Sequence, residues 1–182
     1  KEPDAVVGDF LQKIATACDT IQRQIEFTRA YQDLGKQAPG WCRLDTLIDK
    51  TKPAGVAFTS LCKGVEVFAD PMLEKVFFNL FDNAIRHGSR VTSMIVRCEA
   101  NSDELKITIE DDGIGIPLDQ KQKIFSKGFG KNTGYGLFLA REILAITNIA
   151  IHETGKHGSG ARFEITVPRQ EFREVSEENE NS

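Results

Sequence analysis

The sequence lacks long hydrophobic runs and an excess of positive charge. Both absences narrow the range of functions that the protein can have. No apolar segment approaches the roughly 20 residues that a membrane-spanning helix needs, and no signal peptide is visible. We therefore expect a cytoplasmic location, with membrane attachment of a full-length protein left open. The net charge of −4 and the isoelectric point near 5.5 give no counterion-release footprint. This balance disfavours nucleic acid as a partner.

Paired cysteines are absent as well. The four cysteines, Cys18, Cys42, Cys62 and Cys98, form no CxxC pair. Their spread predicts reduced thiols in a cytosolic protein rather than a disulfide framework or a zinc site. The length of 182 residues predicts one domain with an attached element. The chain begins at Lys1 without a methionine, so we expect it to be part of a longer protein.

A long amphipathic helix is predicted at the N-terminus. Its apolar stripe advances by alternate steps of four and three residues through Val7, Leu11, Ile14, Cys18, Ile21, Ile25 and Thr28, and continues to Tyr31 and Leu34. About 30 residues extend roughly 45 Å as a helix, which exceeds one small domain. We therefore expect the stripe to meet another long helix, the alternative being a helix packed on its own domain.

Strands and helices alternate from Trp41 onwards. The segments WCRLDTLIDKT, VAFTSL and VEVFAD are predicted as strands, followed by a helix from Pro71 to about His87 and a hairpin of VTSMIVRCEA and ELKITIEDD. A glycine-rich loop, a helix at GLFLAREILAIT and a final strand pair complete the body. The pattern predicts an α/β (α+β) fold, a two-layer α/β sandwich with a mixed sheet. Residues 169–182 are acidic and poor in apolar side chains, so we expect disorder there.

The first motif is VFFNLFDNAIRHG, residues 76–88. Asn79 and Asn83 lie four residues apart and share one helix face. Arg86 and His87 follow one turn later, so one helix end combines oxygen ligands for a hard cation with donors for phosphate. The alternative is that both asparagines only satisfy buried backbone groups.

The second motif is EDDGIGIP, residues 110–117. A carboxylate leaves the predicted strand and meets Gly113 and Gly115, which permit close approach of the backbone to a flat ligand. Such a carboxylate can accept a hydrogen bond from an exocyclic amine. A plain acidic hairpin tip is the alternative, but it does not explain the apolar Ile114, Ile116 and Pro117.

The third motif is GFGKNTGYGLFLAREIL, residues 128–144, in which glycines lead directly into a helix. Free backbone N–H groups and the helix dipole favour anions at such a junction. The spacing matches neither the P-loop nor the dinucleotide-binding pattern. A merely flexible loop is the alternative.

Together and in this order, the motifs resemble the ATP-binding domain of sensor histidine kinases, a member of the GHKL superfamily with the Bergerat fold. NLFDNA resembles the N box, DDGIGIP the G1 box, KIFSKGFG the F box and GYGL the G2 box. The resemblance implies an ATP-binding catalytic domain at 42–168, a linker at 37–41, an acidic tail at 169–182, and at 1–36 the second helix of a dimerisation and phosphotransfer hairpin. It also implies ATP and Mg²⁺ as cofactors, a response regulator receiver domain as a partner, and a homodimer in the full-length protein.

The resemblance further implies roles for individual residues. Asn83 would ligate Mg²⁺, Asn79 and Arg86 would serve catalysis, and Asp111 would accept from the adenine amine. Arg86 and His87 would contact phosphate, and Phe125 and Phe129 would belong to a lid over the nucleotide. The remaining implied nucleotide contacts are Gly113, Gly115, Ile116, Lys127, Lys131, Gly134, Gly136 and Leu137.

The implied activity is protein-histidine kinase. Related ATPases of the gyrase and mismatch-repair groups carry a glutamate at the position of Asn79, and an amide cannot serve as a general base to activate water. The only histidines are His87, His152 and His157, so the phosphoacceptor helix is missing and we expect no autophosphorylation by this chain alone. Two alternatives stay open: an anti-sigma-type serine kinase of the same fold, and a non-catalytic dimerisation or scaffold module with a structural nucleotide site.

Overall fold

The computed structural model describes residues 3–130 and 134–175. The helices are α1 (Pro3–Asp33), α2 (Leu44–Thr51), α3 (Leu73–His87) and α4 (Gly136–Ala145), with short 3₁₀ turns at Lys123–Phe125 and Arg169–Glu171. The strands are β1 (Gly40–Arg43), β2 (Ala57–Ser60), β3 (Val65–Ala69), β4 (Ser93–Ala100), β5 (Glu104–Asp111), β6 (Ala150–Glu153), β7 (Arg162–Pro168) and β8 (Phe172–Glu174). Over the described residues, no helix has the length and apolarity needed to cross a bilayer.

Two sheets organise the body. The larger has the strand order β2-β4-β5-β7-β6, in which β2 and β4 are parallel and the remaining pairs are antiparallel. The smaller is antiparallel, with the order β1-β3-β8. The predicted hairpin of β4 and β5, the final strand pair β6 and β7, and the helices α3 and α4 are all present.

The core lies between the larger sheet and the helices α3 and α4. Alternate residues of β5 and β7 face inward, which buries Leu105, Ile107, Ile109, Phe163, Ile165 and Val167. On α3 the buried set is Val76, Phe77, Leu80, Phe81 and Ala84. Charged side chains occupy the opposite face of the sheet, as in the pair between Arg97 and Glu110. Because α3 and α4 cover one face of the larger sheet, the fold is the predicted two-layer α/β sandwich with a mixed sheet.

Helix α1 packs on the body only near its C-terminal end. There Ala30 is buried and the Gly35 N–H donates to Asp70 at 3.3 Å. Much of the predicted stripe is exposed, including Leu11 at 61% and Ile21 at 58%. The contact of this stripe with a second long helix stays a prediction. The C-terminal end of α1 does pack on its own domain, as the alternative in the sequence analysis holds.

The predicted strand at WCRLDTLIDKT is wrong after Arg43. Residues Leu44–Thr51 form helix α2, in which Leu44 and Ile48 are fully buried. Their separation of four residues places both on one helical face. The short segment also fits an alternating strand, and contact with α3 decides in favour of the helix.

The prediction of reduced thiols is wrong for one pair, since Cys62 and Cys98 form a disulfide with Cα atoms 4.9 Å apart. The reason is sheet register. Ser60 on β2 lies opposite Val96 on β4, so two residues further along each chain the cysteines become neighbours. Cys18 and Cys42 are free thiols.

The prediction of disorder at 169–182 is wrong at its start. Residues Phe172–Glu174 form β8 and pair with β3, and Phe172 is buried. Arg173 forms an ion pair with Glu66 at 2.5 Å and lies over the Trp41 ring. These contacts stabilise β8 as an edge strand, although the acidic composition of residues 169–182 predicts disorder. Residues 176–182 lie outside the described residues.

Candidate functional site

A cavity of about 710 Å³ lies where α3, the end of β5 and the start of α4 meet. This volume lies in the usual range for small-molecule sites. The structure brings most of the predicted site residues to its wall: Asn79, Asn83, Arg86, His87, Asp111, Gly115, Ile116, Phe129, Gly134, Gly136 and Leu137.

Four predicted residues are not part of that wall. Phe125 is buried and packs edge-on against Phe163, so it is a core residue and not part of a lid. Lys127 lies with its Nζ 5.9 Å from the ring centroids of Phe27 and Tyr31 on α1. Gly113 does not line the cavity, but its N–H donates to Asp111 Oδ1. Lys131 falls outside the described residues.

Asp111 is held by backbone groups at the end of β5. Its Oδ1 accepts from the Gly113 N–H at 2.8 Å and from the Ala161 N–H at 3.2 Å. Gly115 has a φ of +67°, and a Cβ there would lie 2.6 Å from the Gly160 carbonyl oxygen. A side chain at Gly115 would therefore push apart the two backbone segments beside the carboxylate.

Burial raises the pKa of Asp111 above its ordinary value, although its hydrogen bonds with Gly113 and Ala161 act in the opposite direction. The next residue behaves in the opposite way. Asp112 is exposed, and hydrogen bonds from the Thr92 hydroxyl and from the Ser93 and Thr92 N–H groups lower its pKa. Asp111 thus faces the cavity as a partly desolvated acceptor, whereas Asp112 only joins two loops.

The N box and the G2 box are in direct contact. Asn79 Nδ2 donates to the Gly136 carbonyl oxygen at 3.1 Å, across 57 residues of sequence. Gly136 begins α4, and no side chain at Tyr135 caps that helix. Tyr135, Gly136 and Leu137 line the cavity, so the start of α4, with its uncapped N–H groups and the positive end of the helix dipole, lies at the cavity wall. An anion is the ligand that such a helix end favours.

The end of α3 supplies polar side chains to the same cavity. Asn83 lies one turn beyond Asn79 and is half-buried. Arg86 forms an ion pair with Asp82 on its own helix, with Nε and Oδ1 2.5 Å apart, so its guanidinium is already oriented by a carboxylate. His87 lines the cavity beside them.

Sequence reasoning missed the contribution of α1. Arg23, Glu26, Phe27 and Ala30 all line the cavity, although the predicted stripe passes through Ile25 and Thr28 instead. A second face of α1, marked by the spacing of Arg23, Phe27 and Ala30, was the available signal. His157 is exposed and also lines the cavity.

An aromatic cluster joins α1 to the start of α4. The rings of Phe27 and Tyr135 stack with centroids 4.2 Å apart, and Phe138 lies 6.1 Å from Tyr31 and 6.2 Å from Phe27. Tyr135 belongs to the G2 box. The cluster therefore couples the N-terminal helix to the glycine-rich edge of the cavity.

Comparison with known proteins identifies the domain. The family model for "Histidine kinase-, DNA gyrase B-, and HSP90-like ATPase" matches residues 69–171, which include the whole cavity wall apart from α1. The chain belongs to this ATPase family. The resemblance to the ATP-binding domain of sensor histidine kinases is thereby confirmed.

Curated relatives of this ATPase domain are sensor kinases. The alginate biosynthesis sensor protein KinB of Pseudomonas aeruginosa is 35% identical over 101 residues, covering 53% of this chain and 17% of KinB. The histidine protein kinase SaeS of Staphylococcus epidermidis is 29% identical over 128 residues, covering 63% of this chain and 36% of SaeS. The matched region therefore spans 17% of the length of KinB and 36% of the length of SaeS.

Solved structures share the fold of this ATPase domain. The nucleotide-free catalytic domain of the histidine kinase ThkA superposes with a TM-score of 0.61 at 24% identity, over 73% of this chain and 99% of that domain. Full-length ShkA in complex with AMPPNP superposes with a TM-score of 0.71 at 16% identity, over 97% of this chain and 40% of ShkA. The second match extends over α1 as well as the ATPase domain.

Proposed function

We propose that this chain is the ATP-binding catalytic portion of a two-component sensor histidine kinase. It binds ATP with Mg²⁺ and transfers the γ-phosphate to a histidine on a helix that the chain does not contain. The observation that carries the proposal is the contact between Asn79 and Gly136, because it places the N box and the G2 box on one cavity whose far wall holds Asp111.

Adenine binds at the wall formed by Asp111. The two backbone N–H groups bonded to Oδ1 leave Oδ2 of the carboxylate to accept from the exocyclic amine. Guanine presents a carbonyl oxygen at that position, and two acceptors would then face each other. The site therefore selects adenine over guanine.

The phosphates lie towards α4. The N–H groups of Gly136 and Leu137 at the helix start, with the Arg86 guanidinium and His87 across the cavity, provide donors for anionic oxygens. Asn79 lacks the basicity to activate a water molecule. The γ-phosphate is therefore held for transfer by positioning and charge neutralisation, with little loss to hydrolysis.

Mg²⁺ fits the donors that are present. Among the residues that the structure describes, no cluster of three carboxylate, histidine or cysteine ligands could hold a metal alone. The Asn83 amide oxygen on the cavity wall suits a hard cation, which in nucleotide sites usually takes few protein ligands besides phosphate and water. The bound ion would neutralise phosphate charge, and Asn83 would hold it.

Helix α1 completes the kinase by meeting the helix that carries the histidine. Its exposed apolar residues Val7, Leu11 and Ile14 provide the contact surface for this helix hairpin and for a second copy of the protein. A response regulator receiver domain then takes the phosphoryl group from the histidine.

Calorimetric titration tests the nucleotide site. We expect saturable binding of ATP with Mg²⁺ and markedly weaker binding of GTP, because Asp111 can only accept. Equal affinities for ATP and GTP would contradict the role of Asp111, and no binding by the folded chain would contradict the nucleotide site itself.

Phosphotransfer tests the activity. The chain is incubated with γ-labelled ATP and the separate dimerisation hairpin of a sensor kinase, either intact or with its histidine changed to glutamine. Label is expected only on the intact hairpin. Labelling of serine residues in an added anti-sigma-factor antagonist protein would instead favour the serine-kinase alternative.

A further inference from the structure

A buried ion pair lies behind the base-binding wall of the cavity. Lys121 Nζ is 2.5 Å from Glu153 Oε2, with side-chain exposures of 15% and 0%. Neither residue lines the cavity itself. Lys121 belongs to the segment that follows the G1 box, whereas Glu153 ends β6, so the pair joins elements 32 residues apart in sequence.

Glu153 closes the turn between β6 and β7. Its Oε1 accepts from the Gly155 N–H at 3.1 Å and from the Arg162 N–H at 3.2 Å. Lys121 Nζ also donates to the Gly155 carbonyl oxygen. The carboxylate and the ammonium group together therefore hold both ends of residues 154–161, which we call the β6–β7 turn.

The β6–β7 turn in turn holds Asp111. The Ala161 N–H donates to Asp111 Oδ1, and the Asp111 N–H donates to the Ala161 carbonyl oxygen at 3.1 Å. The Gly158 N–H donates to the Ile114 carbonyl oxygen at 2.7 Å. His157 and Ala161 line the cavity directly. A shift of this turn would therefore move the carboxylate that faces the base.

On the other side of the ion pair, the segment that carries Lys121 also contributes to the cavity. Ile116, Pro117 and Gln120 precede it and line the same wall. One ammonium group thus ties two cavity-lining segments together. Removing it would leave the fully buried Glu153 carboxylate without its cation, which strongly favours rearrangement of the turn.

We propose that Lys121 and Glu153 are positioning residues that hold the base-binding wall in its adenine-accepting geometry. The proposal rests on the proposed function for the identity of the ligand, but the ordering of the β6–β7 turn is independent of any ligand. Neither residue touches the nucleotide, and both act through Ala161 on Asp111.

Titration with ATP and Mg²⁺ tests the effect on binding. Lys121→Met and Glu153→Gln are each expected to weaken ATP affinity by about tenfold or more, as for loss of other supporting partners behind a binding site. Lys123→Met is the matched control, since Lys123 is an exposed lysine two residues away, and its affinity should stay within about twofold. The double variant Lys121→Met/Glu153→Gln removes both charges, while the introduced amide oxygen can still accept from the Gly155 and Arg162 N–H groups, so it should recover much of the affinity lost in Lys121→Met.

Amide hydrogen exchange of the ligand-free chain supplies the second readout. In Lys121→Met we expect the Gly155, Ala161 and Arg162 amides to exchange about tenfold faster or more, while the amides of Ile107 and Ile109 in the centre of β5 keep their protection. In the double variant, which keeps an acceptor at position 153, these amides should exchange more slowly than in Lys121→Met. This local pattern separates positioning from a general loss of stability.

Two results would overturn the proposal. One is unchanged ATP affinity and unchanged exchange of the turn in Lys121→Met. The other is uniform acceleration of exchange in the turn and in β5, which would make the pair a purely structural element. If the parent chain bound no ATP, the proposed function would fail by itself, and the exchange pattern would still decide whether the pair orders the turn.

Discussion

The two walls of the cavity are built in different ways. The proposed base-binding wall is the end of a sheet, where the Asp111 N–H donates to the Ala161 carbonyl oxygen and the Ala161 N–H donates to Asp111 Oδ1. The pair of Lys121 and Glu153 lies behind it. The proposed phosphate-side wall consists of a helix end and a glycine-rich segment, joined by the bond from Asn79 to Gly136.

The glycine-rich wall contains a turn that leaves no room for a side chain. Gly134 has a φ of +62°, and a Cβ there would lie 2.4 Å from the Phe129 carbonyl oxygen, so the chain can close this turn only with glycine. Helix α1 adds the stacking of Phe27 on Tyr135 from outside. The difference implies that the proposed base site is preorganised, whereas the proposed phosphate site depends on elements brought together from three parts of the chain.

Asp111→Asn is expected to have the largest effect on ATP affinity, because it changes the carboxylate of the proposed base-binding wall. The amide oxygen would take the two backbone N–H bonds now made by Oδ1, which would turn the NH₂ group towards the amine of adenine, and two donors would then face each other. We expect ATP affinity to fall by roughly 10- to 100-fold, the equivalent of one charge-assisted hydrogen bond.

Asp112→Asn is the matched control for this titration, because the same chemical change falls on an exposed neighbour that does not line the cavity. ATP affinity should stay within about threefold of the parent. Equal losses in the two variants would mean that the acidic loop as a whole, rather than the Asp111 carboxylate, recognises the base.

Asn83→Ala would weaken the phosphate-side wall by removing the proposed metal ligand. We expect about a tenfold loss of ATP affinity in Mg²⁺, as for other residues that support a bound ion. In EDTA the parent and the variant should bind ATP equally. A loss of the same size with and without Mg²⁺ would show that Asn83 contacts the nucleotide instead of the ion.

Phe27→Ala would test how far the phosphate-side wall depends on α1. Loss of its stacking on Tyr135 should reduce the free energy of unfolding by about 1 kcal/mol, measured by urea denaturation. Phe10→Ala changes the same residue type on the same helix at a position 60% exposed, and its effect should stay within about 0.5 kcal/mol. Equal effects of the two substitutions would contradict the packing of α1 on α4.

The smallest expected effect concerns the pH dependence of stability. The pKa of Asp111 is raised, so its contribution to stability is favourable at low pH and is lost as the pH rises from the unfolded value of 3.8 to the raised folded value. At pH 7 the ligand-free Asp111→Asn variant should therefore be more stable than the parent, by less than about 1 kcal/mol because the group is partly exposed.

The neighbouring aspartate should show the opposite sign. The pKa of Asp112 is lowered, so its contribution is present above the unfolded value and is lost as the pH falls through the lower folded value. Asp112→Asn should lower the melting temperature at pH 7 and have little effect in strong acid. Parallel pH profiles for the two variants would contradict the contrast between the partly buried and the exposed carboxylate.

The sequence predicted the elements whose patterns are long and regular. Helix α3 carries its buried residues at helical spacing, and β4 and β5 alternate in the manner of strands covered on one face. The same patterns located most of the cavity wall, because Asn79, Asn83 and Asp111 stand at fixed positions on those elements. Short segments failed: α2 is eight residues long, and so short an apolar pattern fits a strand as well as a helix.

The remaining failures concern partners that are distant in the chain. The disulfide of Cys62 and Cys98 depends on the parallel register of β2 with β4. The strand β8 exists because β3 offers an edge to an otherwise acidic segment. Phe125 lies in the F box and was predicted to belong to a lid, but its ring packs against Phe163. Local composition contains no information about such pairings.

By itself, the sequence determined the boxes, their order and hence the family and the chemistry of the cavity, because residue types at fixed spacings on a helix or strand share a face whatever surrounds them. Only the tertiary structure decided which walls those faces would form. Lys121 and Glu153 meet, Asn79 reaches Gly136, and Phe27 reaches Tyr135 across the fold. Burial of a charge or an aromatic ring is stable only where packing supplies the partner, and that partner is chosen in three dimensions.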